Sequence, residues 1–147
     1  MEQIYPYVQI VHLICAIIFL GYIFFDIVIF SRLKGVLGAD FEHVKKAIGS
    51  RAIKIMPVCL FTLIITGGMM MSRWVGSANG GYFGTPLQKI FMLKVALALI
   101  IAVCVAINLS CRVMGRPAPE FLRANIHKIA FVFGFIIVLC AKLMFII

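Results

Sequence analysis

Ionisable side chains stand inside long apolar runs of this sequence, where a charged group needs a physical reason. His12 and Asp26 lie in the first run, Lys94 in the third and Lys142 in the fourth. An imidazole can offer a lone pair to a metal, and an ammonium group can bind an anion, so these residue types could hold a charged ligand. Ionisable groups at membrane depth cost free energy, and each is by default a hypothesis of function.

The runs that carry these residues indicate an integral membrane protein. Of the 147 residues, 64% are hydrophobic, which leaves too few polar residues to cover the surface of a water-soluble domain. A hydrocarbon core about 30 Å thick requires about 20 apolar residues per helix. We therefore predict an all-α fold, an antiparallel four-helix bundle that forms one transmembrane domain. The predicted spans are about 7–31, 53–72, 88–111 and 125–146.

The segment between the first two spans has the pattern of a short amphipathic helix. Asp40 is a candidate N-cap, and Phe41, Val44, Ala47 and Ile48 follow it at helical spacing. We predict that this helix lies at the cytoplasmic membrane surface and leads into the second span.

Basic residues are unequally distributed between the predicted loops. The chain has 14 lysines and arginines, most of them in or beside the segments 31–54 and 112–128, whereas Arg73 and Lys89 flank the opposite side. The positive-inside rule places these two segments in the cytoplasm and both termini in the periplasm of a bacterial inner membrane. The basic residues then face anionic lipid headgroups, and we expect no nucleic-acid partner.

The polar residues of the spans fall into two layers when the chain is followed back and forth across the bilayer. The outer layer, in the periplasmic half, consists of His12, Lys94 and Lys142. The inner layer, in the cytoplasmic half, consists of Asp26, Asn108 and His127. Polar groups within membranes commonly pair with one another, so the inner layer can be a structural hydrogen-bond or ion-pair cluster. In the second span, one stripe that we expect to face inward consists of Cys59, Thr62, Thr66 and Met69 or Met70.

Two interpretations of the outer layer stay open. Lys94 and Lys142 each lie about 9 Å below a helix end, and a lysine stem can extend most of that distance to the interface without any ligand. Alternatively, the two ammonium groups face the bundle interior beside His12, where like charges repel and lose solvation, so that they either deprotonate or recruit an anion. A tetrapyrrole fits this set, since haem iron takes a histidine ligand and its propionates suit the lysines.

Copper is the rival ligand. Met69 and Met70 are candidate ligands because soft sulfur suits Cu(I), and other sulfur-containing residues fall near the same depth, namely Met71, Met92, Met144 and Cys140. Packing and lipid contact are the alternative roles for the run of three methionines. Ammonium groups nearby repel a metal cation, which favours the tetrapyrrole over copper.

Four segments of the sequence resemble a known membrane-protein family. They are "YVQIVHLICAIIFLGYIFF", "RAIKIMPVCLFTLIITGG", "KVALALI" and "VLCAKLMF", one from each span. Together they resemble the HemJ-type protoporphyrinogen oxidases and the related copper-resistance D (CopD-type) membrane domains. HemJ-type proteins have four helices, bind haem b and oxidise protoporphyrinogen IX. The resemblance implies that His12, Lys94 and Lys142 match the first-helix histidine, the third-helix lysine and the C-terminal lysine of that family.

The chain departs from the HemJ-type pattern in two places. Asp26 stands where the family typically has an arginine, and "NIHK", from Asn125 to Lys128, stands where it has an Asn-Glu-x-Pro motif. These departures concern the oxidase reaction more than haem binding. Conversely, Asn108, fourteen residues after Lys94, is similar to the third-helix asparagine of CopD-type domains, which are associated with copper tolerance or uptake.

The sequence thus leads to one principal hypothesis, an inner-membrane redox protein that binds haem b or a porphyrin in its periplasmic half. Its reaction would be the oxidation of protoporphyrinogen IX or related tetrapyrrole chemistry. The alternatives are a CopD-like protein that binds or transports copper, and a structural subunit without a ligand. The expected partners are a tetrapyrrole, the lipid bilayer, and either further copies of the chain or a respiratory-chain electron acceptor.

Overall fold

The computed structural model describes residues 3–146, and these residues are helical almost throughout. Helix makes up 87% of the described residues, and no strand is formed among them. The elements are α1 (Tyr5–Phe24), a π-helical turn (Phe25–Ile29), a 3-10 turn (Phe30–Leu33), α2 (Lys34–Leu37), a 3-10 turn (Gly38–Asp40), α3 (Phe41–Trp74), a 3-10 turn (Ser77–Asn79), α4 (Pro86–Val113) and α5 (Glu120–Leu143). The predicted all-α class is confirmed.

Three helical stretches of the described chain are long and apolar enough to cross a membrane. They are Tyr5–Trp74, in which α1 and α3 are counted with the turns between them, Pro86–Val113 and Glu120–Leu143. Large apolar side chains are exposed along them at helical spacing. On α1, for example, Leu13 is 59% exposed and Ile17 is 63% exposed. Surfaces of this kind are stable against lipid rather than water, so the chain is a membrane protein.

The chain divides into two compact units, Met1–Thr66 and Gly67–Ile147. In the first unit, α1 and α3 are joined by two side-chain contacts, one between His12 and Thr66 and one between Cys15 and Cys59. The pair with the higher residue number on α1 has the lower residue number on α3, so the two helices run antiparallel. The buried residues of α3 include Ala52, Cys59 and Thr66, which recur every seven residues and therefore form one stripe.

The turn between α1 and α3 is closed by aromatic packing. The rings of Phe30 and Phe41 stack with their centroids 4.9 Å apart, and both side chains are buried. Gly38 has a φ of 51°, a conformation that side chains with a Cβ rarely adopt, and it permits the reversal before α3 begins. The segment predicted as a separate amphipathic helix forms the first turns of α3, which continues through Pro57 to Trp74.

In the second unit, α4 and α5 pack against each other, and both ends of α4 are capped. At its start, Thr85 and Gln88 form a reciprocal capping box, and Pro86 occupies the first turn. At its end, the Gly115 N–H donates to the Arg112 carbonyl. The Arg116 N–H donates to the Cys111 carbonyl, and Gly115 has a φ of 66°, so the end is a Schellman motif.

Candidate functional site

The imidazole of His12 is anchored to α3. Nδ1 of His12 lies 2.8 Å from Oγ1 of Thr66, and the histidine is half-buried while Thr66 is 7% exposed. The Thr66 hydroxyl also reaches the backbone of its own helix, with Oγ1 2.7 Å from the Thr62 carbonyl oxygen. One turn further along α1, the Cys15 and Cys59 side chains are hydrogen-bonded, which provides a second contact between the two helices. His12 is therefore held in a defined position within the first unit.

Thr66 is the residue that sequence reasoning left without a role. The sequence placed it on a polar stripe with Cys59 and Thr62, and the structure buries Thr66 and Cys59 while Thr62 is half-buried. The position of Thr66 on that stripe could have indicated its role, because a buried hydroxyl needs a hydrogen-bond partner. The identity of the partner depends on the register of α1 against α3, which the pattern of one helix does not contain.

Lys94 of α4 is half-buried against aromatic and sulfur-containing side chains. Its Nζ lies 5.1 Å from the centroid of the Phe91 ring and 3.9 Å from Sδ of Met144 on α5. The Cys140 thiol is near enough to interact with it electrostatically. Within residues 3–146, these neighbours are a ring, a thioether and a thiol, so the ammonium group has weak acceptors on several sides and a carboxylate on none of them.

Lys142 lies on a different side of α5 from the residues that face Lys94. Two residues, or about 200° of helical rotation, separate it from both Cys140 and Met144. Its side chain is exposed, whereas Cys140 is 8% and Met144 3% exposed. The two lysines therefore differ in environment. Lys94 packs against Met144, whereas Lys142 lies on the opposite side of α5.

A packed apolar cluster lies beside Lys94. Val75, Phe91 and Met144 are its buried members, and Met71 and Met92 pack against them. On the edge of this cluster, the rings of Trp74 and Phe145 make an edge-to-face contact with centroids 5.5 Å apart. The cluster thus joins the end of α3, the start of α4 and the end of α5.

The glycine-rich segment before α4 folds around Gln88, whose side chain is 3% exposed. Oε1 of Gln88 accepts from the N–H of Gly84 at 2.9 Å and from the N–H of Thr85 at 3.2 Å. Its Nε2 donates to the carbonyl of Asn79 at 2.8 Å. An antiparallel bridge between Gly76 and Gly81 completes the turn. The side-chain amide of Gln88 thus organises this segment.

The methionines predicted as copper ligands differ in position from those that cluster. Met69 is 46% exposed and Met70 is half-buried, whereas Met71, Met92 and Met144 meet around Val75 and Phe91. Among the described residues, no group of three or more histidine, cysteine, aspartate or glutamate side chains is arranged to hold a metal ion.

The residues predicted for the inner layer occur in both units. Asp26 is half-buried in the π-helical turn of the first unit, one helical turn after Tyr22, with which it interacts electrostatically. Asn108 on α4 and His127 on α5 are half-buried in the second unit. Turns of π-helix are rare in proteins, and those that occur are often found at functional sites. Asp26 is therefore the member of this layer whose backbone most suggests a function.

Comparisons with protein-family models, with curated proteins and with solved structures gave no match for this chain. The resemblance to HemJ-type and CopD-type proteins therefore consists of the short segments quoted above.

Proposed function

We propose that this chain is a redox protein of the bacterial inner membrane that binds haem b or a related tetrapyrrole. The environment of Lys94 is the observation that supports this best. An ammonium group that is half-buried at membrane depth beside Phe91 and Met144 has lost solvation without gaining an ion pair from the described residues. A carboxylate on a bound ligand would compensate for that loss, and haem propionates are carboxylates.

The surroundings of His12 suit iron ligation. Histidines that bind metals usually have their second ring nitrogen engaged by a neighbouring polar group, which orients the ring. The contact between Nδ1 of His12 and the hydroxyl of Thr66 is of this kind. When bound, a haem would supply electron transfer, and the proposed task of His12 is to hold its iron.

The depth that we propose for Lys94 and His12 comes from the sequence. We propose four crossings, in which α1 and α3 pass the bilayer in opposite directions and α4 and α5 follow, with both termini in the periplasm. In that topology His12 and Lys94 belong to the periplasmic half. The proposed reaction is the oxidation of protoporphyrinogen IX or a related tetrapyrrole, with a respiratory-chain acceptor taking up the electrons.

The first experiment is a spectrum of the full chain purified in a mild detergent from cells supplied with a haem precursor. We expect a Soret band and a haem-to-protein ratio near one, and we expect His12→Ala to abolish or shift the band. His43→Ala is the matched control, because His43 is an exposed histidine near the start of α3. A wild-type protein without a Soret band, or a His12→Ala protein with an unchanged spectrum, would contradict the proposal.

A CopD-like role in copper binding is the second candidate, and the cluster that contains Met71, Met92 and Met144 favours it. Three thioethers suit Cu(I), which prefers soft ligands. The ammonium of Lys94, 3.9 Å from Sδ of Met144, opposes it because a cation beside the sulfur repels a second cation. A colourless wild-type protein that takes up Cu(I) would favour copper over the tetrapyrrole.

A further inference from the structure

The hydroxyl of Thr66 has more neighbours than it has hydrogens. Its Oγ1 lies 2.7 Å from the Thr62 carbonyl oxygen, 3.3 Å from the Leu63 carbonyl oxygen and 2.8 Å from Nδ1 of His12. A carbonyl oxygen can only accept, and two oxygens at 2.7 Å repel unless a hydrogen lies between them. The single hydroxyl hydrogen is therefore donated to the Thr62 carbonyl.

The direction of the hydrogen bond to His12 follows from that assignment. Once its hydrogen is committed to the carbonyl, Oγ1 of Thr66 has only lone pairs to offer to Nδ1. Nδ1 must then carry a hydrogen and donate it. In the reverse arrangement the hydroxyl would donate to Nδ1, and no hydrogen would lie between Oγ1 of Thr66 and the Thr62 carbonyl oxygen, which are 2.7 Å apart. A neutral imidazole with its hydrogen on Nδ1 has its lone pair on Nε2.

The acceptor for His12 is rigid because three features fix the Thr66 hydroxyl. The side chain is β-branched and 7% exposed, which restricts its rotation. Its hydroxyl donates a hydrogen bond to the Thr62 carbonyl, so the α3 backbone positions the hydroxyl oxygen. The contact between Cys15 and Cys59 holds α1 against the same stripe of α3.

We infer that Thr66 is a positioning residue that holds His12 with its hydrogen on Nδ1 and so leaves on Nε2 the lone pair that would ligate a metal. In water a neutral histidine carries its hydrogen mostly on Nε2, so the protein imposes the less common form through the bond that the other nitrogen makes. The inference rests on the proposed function for the identity of the bound group. The tautomer itself does not depend on it.

The tautomer can be measured in the full chain without any bound cofactor. Nitrogen NMR of histidine-labelled protein in detergent micelles distinguishes a protonated ring nitrogen from one with a lone pair. The chain has 3 histidines, so single substitutions of His43 and His127 assign the signals. At a pH where His12 is neutral, we expect its hydrogen on Nδ1. A hydrogen on Nε2 in the wild-type protein would overturn the inference.

Three substitutions in α3 test the role of the hydroxyl. Thr66→Val removes it at nearly constant volume, and we expect the His12 hydrogen to move to Nε2 in most molecules. Thr66→Ser restores a hydroxyl and should restore the wild-type signal. Thr62→Val is the matched control, because the Thr62 hydroxyl, one turn away on the same helix, donates to the Val58 carbonyl at 2.9 Å. An unchanged tautomer in folded Thr66→Val would overturn the inference, and if that variant does not fold, the wild-type tautomer decides.

A second readout uses haem-loaded protein. We expect Thr66→Val to weaken haem binding by about 10- to 100-fold and to shift the electron paramagnetic resonance of the ferric iron, while Thr66→Ser and Thr62→Val stay near the wild type. Absence of haem from the wild-type protein would contradict the proposed function and leave the tautomer measurement intact. Haem binding that is identical in all four proteins would contradict the role of Thr66 alone.

Discussion

The Nζ atom of Lys94 lies 3.9 Å from the Sδ atom of Met144, fifty residues later in the chain. A thioether is a weak acceptor, and the face of the Phe91 ring, 5.1 Å away, adds a cation–π attraction worth about 0.5–1 kcal/mol at accessible sites. These contacts offset only part of the cost of placing a charge in an apolar setting. Lys94 is therefore suited to receive an anionic group.

Replacing Lys94 by methionine should weaken tetrapyrrole binding. The substitution removes the ammonium group and keeps an apolar stem, so we expect a loss of about 1.5–3 kcal/mol, the usual contribution of a hydrogen bond to a charged group. That loss corresponds to roughly a 10- to 150-fold weaker affinity. Titration of the purified apoprotein with haem measures it.

Lys142→Met is the matched control for that experiment. Lys142 is exposed and lies on the opposite side of α5 from Met144, so we expect little change in haem affinity. Full affinity in Lys94→Met, together with equal or higher thermal stability, would mean that the Lys94 ammonium only extends to the membrane interface.

Reporter fusions test the proposed topology. The distribution of basic residues predicts that a fusion after residue 40 or residue 118 reports the cytoplasm and that one after residue 80 reports the periplasm. Residues 40 and 80 flank α3, so they must lie on opposite sides of the bilayer if α3 crosses it. The same compartment for both of these fusions would contradict four crossings.

Replacing Gln88 by leucine should destabilise the segment that precedes α4. The change removes the hydrogen bonds of Gln88 to the Gly84 and Thr85 N–H groups and to the Asn79 carbonyl, and a hydrogen bond of this kind contributes about 0.5–1.5 kcal/mol. We expect a lower unfolding temperature in detergent. Lys89→Ala, at an exposed neighbour, should leave that temperature nearly unchanged, and equal stability of the two variants would contradict the role of Gln88.

Removal of the clustered thioethers separates the tetrapyrrole from copper. Replacing Met71, Met92 and Met144 by leucine approximately preserves volume and apolarity, so we expect the fold and the haem content to be retained. The exposed Met69, replaced by leucine, serves as the control. Loss of copper tolerance in cells that carry the triple variant, with haem content unchanged, would favour the CopD-like role.

Much of the fold follows from patterns within single helices, and much of the site does not. Apolar runs of about 20 residues predict the membrane helices, and the Thr85-x-x-Gln88 spacing is a recognisable helix start. The contact between His12 and Thr66 depends instead on the register and rotation of two helices. The same holds for Lys142, whose direction relative to Lys94 depends on how α5 is turned about its axis.

The central proposal, that His12 ligates a haem iron, is tested most directly by chemical rescue. His12→Gly removes the ring and leaves space for free imidazole, which can then bind the iron in its place. We predict that the variant purified with haem has an altered Soret band and that added imidazole restores the wild-type band, while 2-methylimidazole, which is hindered beside the ligating nitrogen, restores it less. A wild-type Soret band in His12→Gly without imidazole would show that another residue ligates the iron.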